Sequence, residues 1–123
     1  MAGVVAVLDD EKMQDVAAYY SRQIPQPIPA AADSALLARG KALFELGDWN
    51  RHIPACANCH TAGHDFGRRL ALPVLQGQHA AYTEAQLHAF RKGTRGSATM
   101  MPMIASRLDD DDIQALSAYI ASR

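Results

Sequence analysis

Both cysteines of this chain, and two of its five histidines, fall within the ten residues A-C-A-N-C-H-T-A-G-H that run from Ala55 to His64. Thiolate sulfur and imidazole nitrogen bind transition metals, and paired thiols oxidise to disulfides, so the spacing has to select among these chemistries. A structural zinc site made of Cys56, Cys59, His60 and His64 must close a tetrahedron within nine residues, tighter than the usual two-knuckle arrangement. A thioredoxin-like dithiol stands at the end of a strand that opens a helix in a βαβ unit, and no such pattern surrounds Cys56. A structural disulfide across two intervening residues closes too small a loop to stabilise much.

Cys56-x-x-Cys59-His60 is the attachment pattern of a c-type haem. Two thiols three positions apart on one helical turn reach the two vinyl groups of a single haem. His60, next in the chain, turns its imidazole to the iron from the same side, and His64 is tethered to that side with it. An iron built for electron transfer needs a second axial ligand. Methionine opposite histidine raises the reduction potential, and Met100, Met101 and Met103 cluster where such a ligand can come from. His79 and His88 are read as surface or neighbouring residues rather than ligands.

The elements that must position these groups read as helices throughout, and no segment alternates as a strand does, so the fold class is all-α. A short amphipathic helix presents Met13, Val16, Ala17 and Tyr20 with Asp9 or Asp10 as its N-cap. Residues 25–32, rich in proline, read as a linker. A second helix runs from Asp33 to about Leu46, presents Leu36, Leu37, Gly40, Leu43 and Phe44, and stops at Gly47. The cysteine cluster follows, then a loop containing Gly63, Gly67 and Pro73. A third helix has Thr83 as its expected cap, Leu87 and Phe90 inward and Gly93 as its stop, and a last helix spans about Asp109 to Ala121.

Residues 1–20 align without gaps on residues 101–120: Leu8 on Leu108, Asp9-Asp10 on Asp109-Asp110, Gln14 on Gln114, Tyr19 on Tyr119. The chain therefore reads as a remnant helix over 1–24 resembling the end of one domain, a linker over 25–32, and a whole copy of that domain over 33–123. The repeat also favours Met101 as the distal ligand. Met1 and Met101 both stand seven residues before the leucine that opens a helix, whereas Met100 has no counterpart and Met103 pairs with Gly3. Residues 1–24 have lost the surface they would cover, which leaves docking on the chain's own haem domain or exchange with a second copy to give a homodimer.

With twelve basic and thirteen acidic residues in 123, bulk charge suggests no nucleic-acid partner. No apolar run reaches the roughly 20 residues of a membrane span, and the first residues lack the basic segment and cleavage site of an export signal. The acidic run Asp109 to Asp112 opens the last helix, where negative charge complements the helix dipole.

Taken together, P-A-C-A-N-C-H (54–60), L-P-V-L-Q-G-Q-H-A-A-Y-T-E-A-Q-L (72–87), F-R-K-G (90–93) and M-P-M-I-A-S-R-L (101–108) resemble a class I cytochrome c, and within that class the C-terminal half of a dihaem cytochrome c4. The resemblance implies one haem c, held covalently by Cys56 and Cys59 and ligated by His60 and Met101. It also implies a first and a last helix that cross near Gly40 and Phe44 against Leu116 and Tyr119. From the same resemblance Pro73 offers its carbonyl to the proximal imidazole, and Leu75, Tyr82, Leu87 and Phe90 line the haem. The implied role is that of a periplasmic one-electron carrier with no bond chemistry of its own, working between a quinol-oxidising complex or dehydrogenase and a terminal oxidase. Other readings remain open: a haem subunit of a larger dehydrogenase or oxidase complex, a haem sensor or enzyme with an open sixth position, and a zinc-binding module.

Overall fold

The computed structural model describes residues 2–24, 33–96 and 100–123; the stretch read as a linker, 25–32, lies outside the described residues. In chain order the helices are α1 (Ala2–Val5), α2 (Asp10–Ser21), α3 (Ser34–Glu45), α4 (Ala57–His60), α5 (Asp65–Arg69), α6 (Ala80–Arg91), α7 (Met101–Ala105) and α8 (Asp110–Ala121), with a single 3-10 turn at Trp49–Arg51. Among the described residues there is no strand beyond one isolated bridge between Asp48 and Ile53. No helix among them is long and apolar enough to cross a membrane.

α8 is the central element. It packs on α3 along one side and on α6 along another, and α6 in turn packs on α7. The core joins Leu43 and Phe44 of α3, Ile53, Leu108, and Ile113, Leu116 and Ile120 of α8. The α3–α8 crossing depends on Gly40, because a Cβ there would lie 2.1 Å from the carbonyl oxygen of Ala115 and 2.8 Å from the Cβ of Tyr119. The bare backbone of α3 therefore rests directly on that of α8, with Phe44 and Tyr119 tilted against each other beside the contact, their ring centroids 5.7 Å apart.

The start of α8 is held by a charged cluster. Asp109 and Asp112 form a capping box: the Asp109 carboxylate accepts from the Asp112 N–H at 2.7 Å, and the Asp112 carboxylate from the Asp109 N–H at 3.2 Å. Asp112 has no solvent exposure. It also accepts from Arg39 of α3 at 2.8 Å and from Arg51 of the 3-10 turn at 2.6 Å. Burial pushes its carboxyl up, yet the hydrogen bonds from Arg51 and Arg39 and from the Asp109 N–H outweigh that and hold it at about 2. Asp109, Asp110, Asp111 and Asp112 are thus each paired with arginines, Asp111 at 3.9 Å from Arg39, which accounts for the acidic run by internal contacts.

Three expectations need correction or extension. Thr83 does not cap the third helix; α6 begins at Ala80 with His79 as its N-cap, and Thr83 is buried one turn in. Ala80 and Ala81 are strong helix formers and extend the helix upstream. The loop after the cysteines contains the short helix α5. Finally, α2 forms as expected with Asp9 as its cap, but it buries no residue, and neither α1 nor α2 packs on another element among the described residues.

Candidate functional site

The approach to the cysteines is fixed before they are reached. Asp48 and Ile53 exchange both backbone hydrogen bonds at 2.8 Å, and the Asp48 carboxylate accepts from the N–H groups of Asn50 and Arg51 inside the loop. His52 takes a left-handed conformation to close the turn. Ile53 and Ala55 are then buried as anchors, and Cys56 and Ala57 pack against the core. The chain turns at once into α4, where the Cys56 carbonyl accepts from the N–H groups of Cys59 at 3.2 Å and His60 at 2.9 Å. That single turn carries all three groups of the motif. Burial pushes the Cys56 thiol up to about 11, so it is neutral at pH 7.

α5 folds back onto this turn. A Cβ on Gly67 would lie 2.2 Å from the Cys59 carbonyl oxygen, so only glycine lets α5 approach so closely. Past α5 the chain returns alongside His60 and is tied to it twice: the Leu75 N–H donates to the His60 carbonyl at 3.2 Å, and His60 Nδ1 lies 2.7 Å from the Pro73 carbonyl oxygen. A carbonyl only accepts, so Nδ1 carries the proton and the lone pair of the neutral ring is on Nε2. An imidazole held in this tautomer and orientation by a backbone carbonyl is what a metal-ligating histidine requires.

The residues fit a covalently attached haem. Cys56 and Cys59 are free thiols on one turn. Next to them, His60 offers Nε2 as a ligand. The same residues do not make a zinc site: among the described residues no group of three or more His, Cys, Asp and Glu side chains gathers as for a metal ion, and His64 is exposed at the start of α5.

The other expected site residues divide between two packing units. Cys56, Cys59, His60, Pro73 and Leu75 belong with α4, which packs on α3 and α5, whereas Tyr82, Leu87, Phe90 and Met101 belong to the packed pair α6 and α7; α8 joins the units. Leu75 and Leu87 are half-buried against the core and Phe90 is buried, while Tyr82 is exposed. Of the three clustered methionines, Met101 opens α7 and is half-buried, whereas Met100 and Met103 are 50% and 53% exposed.

The profile of the family described as Cytochrome c matches residues 37–123. The chain belongs to the cytochrome c family. It is 43% identical to a cytochrome c4 of Stutzerimonas stutzeri over 98% of its own length and 58% of that protein's. It is 36% identical to a thiosulfate dehydrogenase electron acceptor of Thiomonas intermedia (strain K12), over 100% of its own length and 58% of the relative's. The crystal structure of reduced recombinant cytochrome c4 from Pseudomonas stutzeri superposes with a TM-score of 0.81 at 42% identity, covering 98% of this chain and 64% of that one. The chain thus spans 58% of the length of each of these two curated relatives. A cytochrome c domain implies covalently bound haem c, and Cys56 and Cys59 stand at the spacing that attachment needs.

Sequence reading missed the supports of the site. Arg39 of α3 and Arg51 of the loop that delivers Cys56, both paired to Asp112, fasten α8 to those two segments, and nothing local in the sequence links residues 73 and 61 positions apart. Arg91 of α6 donates to the Leu108 carbonyl and to Asp110. Arg95 lies over the Phe90 ring at 4.6 Å and donates to Gln86 at 2.6 Å.

Proposed function

We propose that this chain carries single electrons between redox proteins through one haem c, with His60 and Met101 as axial ligands and no bond chemistry of its own. The observation that carries the reading is the Pro73 carbonyl on His60 Nδ1, because it orients an imidazole beside two free thiols on one turn. The haem, when bound, would supply a one-electron iron couple, and His60 and Met101 would hold its iron in a dry, stiff surround. Leu75, Leu87 and Phe90 keep water away, and Pro73 keeps His60 basic. Of Met100, Met101 and Met103, Met101 is the half-buried one, and it stands at the position the repeat selects. Partners on this reading are a donor dehydrogenase or quinol-oxidising complex and a terminal oxidase in the bacterial periplasm, met in small transient encounters; relatives named as thiosulfate dehydrogenase electron acceptors favour a dehydrogenase as the donor.

Residues 1–24 are proposed to be the closing unit of another cytochrome c domain. The bounds of α2 and α8 differ by 100 positions at both ends, and Asp9 caps α2 as Asp109 caps α8. Backbone bonds match as well: Leu8 N–H to Val5 at 3.0 Å beside Leu108 N–H to Ala105 at 3.1 Å, and Met13 N–H to Asp9 at 2.9 Å beside Ile113 N–H to Asp109 at 3.1 Å. The surface that suits α2 is then a helix like α3 on another such domain. A second copy of this chain suits it less, since each copy's own α8 already covers its α3.

The test is optical. A pyridine haemochrome spectrum of the matured protein shows one haem c per chain, and the ferric protein shows a far-red sulfur-to-iron band that Met101→Ala abolishes. A ferrous spectrum that shifts fully with carbon monoxide refutes the closed sixth position and favours the sensor or enzyme reading.

A further inference from the structure

We propose that Arg91 is a positioning residue for Met101, acting through the turn that joins α7 to α8; the inference rests on Met101 being the distal ligand. Arg91 ends α6, and its side chain is mostly buried for so polar a group, at 28% exposure. Its guanidinium makes three contacts in three directions. Nη1 donates to the Leu108 carbonyl at 3.1 Å, Nη2 donates to the Asp110 carboxylate at 2.5 Å, and Nη2 also faces Nδ1 of His88 at 3.1 Å.

The Leu108 carbonyl belongs to the turn between the last residue of α7 and the cap of α8. Arginine's planar fork satisfies a neutral carbonyl and a carboxylate at once, which an ammonium on a flexible stem does less well. The clasp therefore fixes α6 against both the end of α7 and the start of α8.

α7 has five residues, so it spans only about 7–8 Å. So short a helix moves as one body. Its far end is Ala105, fully buried, and its near end is Met101. The turn is stiffened further by the Ser106 hydroxyl and Arg107 guanidinium, both donating to the Met103 carbonyl, at 2.8 and 3.2 Å. A displacement of the Leu108 turn is thus delivered to the Met101 thioether rather than absorbed on the way. Of the α6 side chains expected to line the haem, Leu87 and Phe90 are four and one residues from Arg91, so the clasp also keeps the methionine in register with them.

The experiment compares matured wild-type protein with Arg91→Gln and Arg91→Lys, and with Arg68→Gln as a control for lost charge, since Arg68 is exposed and pairs with Asp65 three residues away. The readouts are the affinity of the ferric protein for added imidazole, which competes with the methionine, and hydrogen exchange at the Ile104 and Leu108 amides. Arg91→Gln is expected to bind imidazole about tenfold more tightly, a change of the size of one charge-assisted hydrogen bond. Exchange at both amides should accelerate, Arg91→Lys should fall between, and Arg68→Gln should match wild type. Should Arg91→Gln fail to mature, Asp110→Asn opens one arm of the clasp and is expected to tighten imidazole binding two- to threefold. Imidazole affinity within twofold of wild type in the Arg91 variant, or unchanged in the Asp110 variant where that one is used, overturns the proposal even if urea stability falls. A wild-type protein without the far-red band refutes the ligand assignment itself, and the proposal with it.

Discussion

Asp112→Asn removes the charge from a carboxylate that has no solvent exposure and holds two arginines from two other segments. The carboxyl sits at about 2 in the folded chain against 3.8 in its ordinary state. At roughly 1.4 kcal/mol for each tenfold change in proton affinity, ionised Asp112 contributes about 2 kcal/mol of stability at neutral pH. The folded value lies below the unfolded one, so this contribution is complete above about pH 4 and is lost as pH falls through about 2. Asparagine keeps the shape but leaves Arg39 and Arg51 short of an anion, and removing one partner of a buried pair costs about 3–5 kcal/mol. The expected loss at pH 7 is therefore about 2–4 kcal/mol. With a urea dependence of about 1–2 kcal/mol per molar for a domain of this size, the midpoint should fall by about 1–4 M. Urea unfolding followed by far-ultraviolet circular dichroism at pH 7, 4, 3 and 2 gives the decisive comparison, because the gap between wild type and variant must narrow by about 2 kcal/mol across the acid limb. A variant within about 0.5 kcal/mol of wild type at pH 7, or a gap independent of pH, refutes the claim that this ion cluster fastens α8.

Gly40→Ala gains up to about 1 kcal/mol of helix propensity but puts a methyl 2.1 Å from a backbone oxygen, so a net loss of about 1–3 kcal/mol is expected in the same urea assay. Gly67→Ala forces α5 away from the Cys59 carbonyl and should lower the fraction of chain carrying covalent haem, read as intact mass after expression with the maturation machinery. Deleting residues 1–22 should leave the unfolding free energy of the haem domain within about 0.5 kcal/mol, since α2 buries no residue, and sedimentation should report the same monomer mass state before and after deletion apart from the residues removed.

What was readable from the one-dimensional chain is what depends on neighbours in sequence. Cys56, Cys59 and His60 lie within one turn, so their chemistry follows from spacing. The cap at Asp9 and the stops at Gly47 and Gly93 follow from local hydrogen bonding and the left-handed conformation that glycine tolerates. The internal repeat likewise needed only alignment. Thr83 was misread as a cap because Ala80 and Ala81 extend α6 upstream of it, and it is buried in a helix that packs on α7 and α8 from farther along the chain. The supports of the site belong to the fold alone: Asp112 between Arg39 and Arg51, Gly67 under Cys59, the Pro73 carbonyl on His60, and Arg91 reaching the turn before α8. Each joins groups 8 to 73 positions apart, and such pairings are selected by the packing of helices onto one core, a property of the assembled structure that local pattern does not encode.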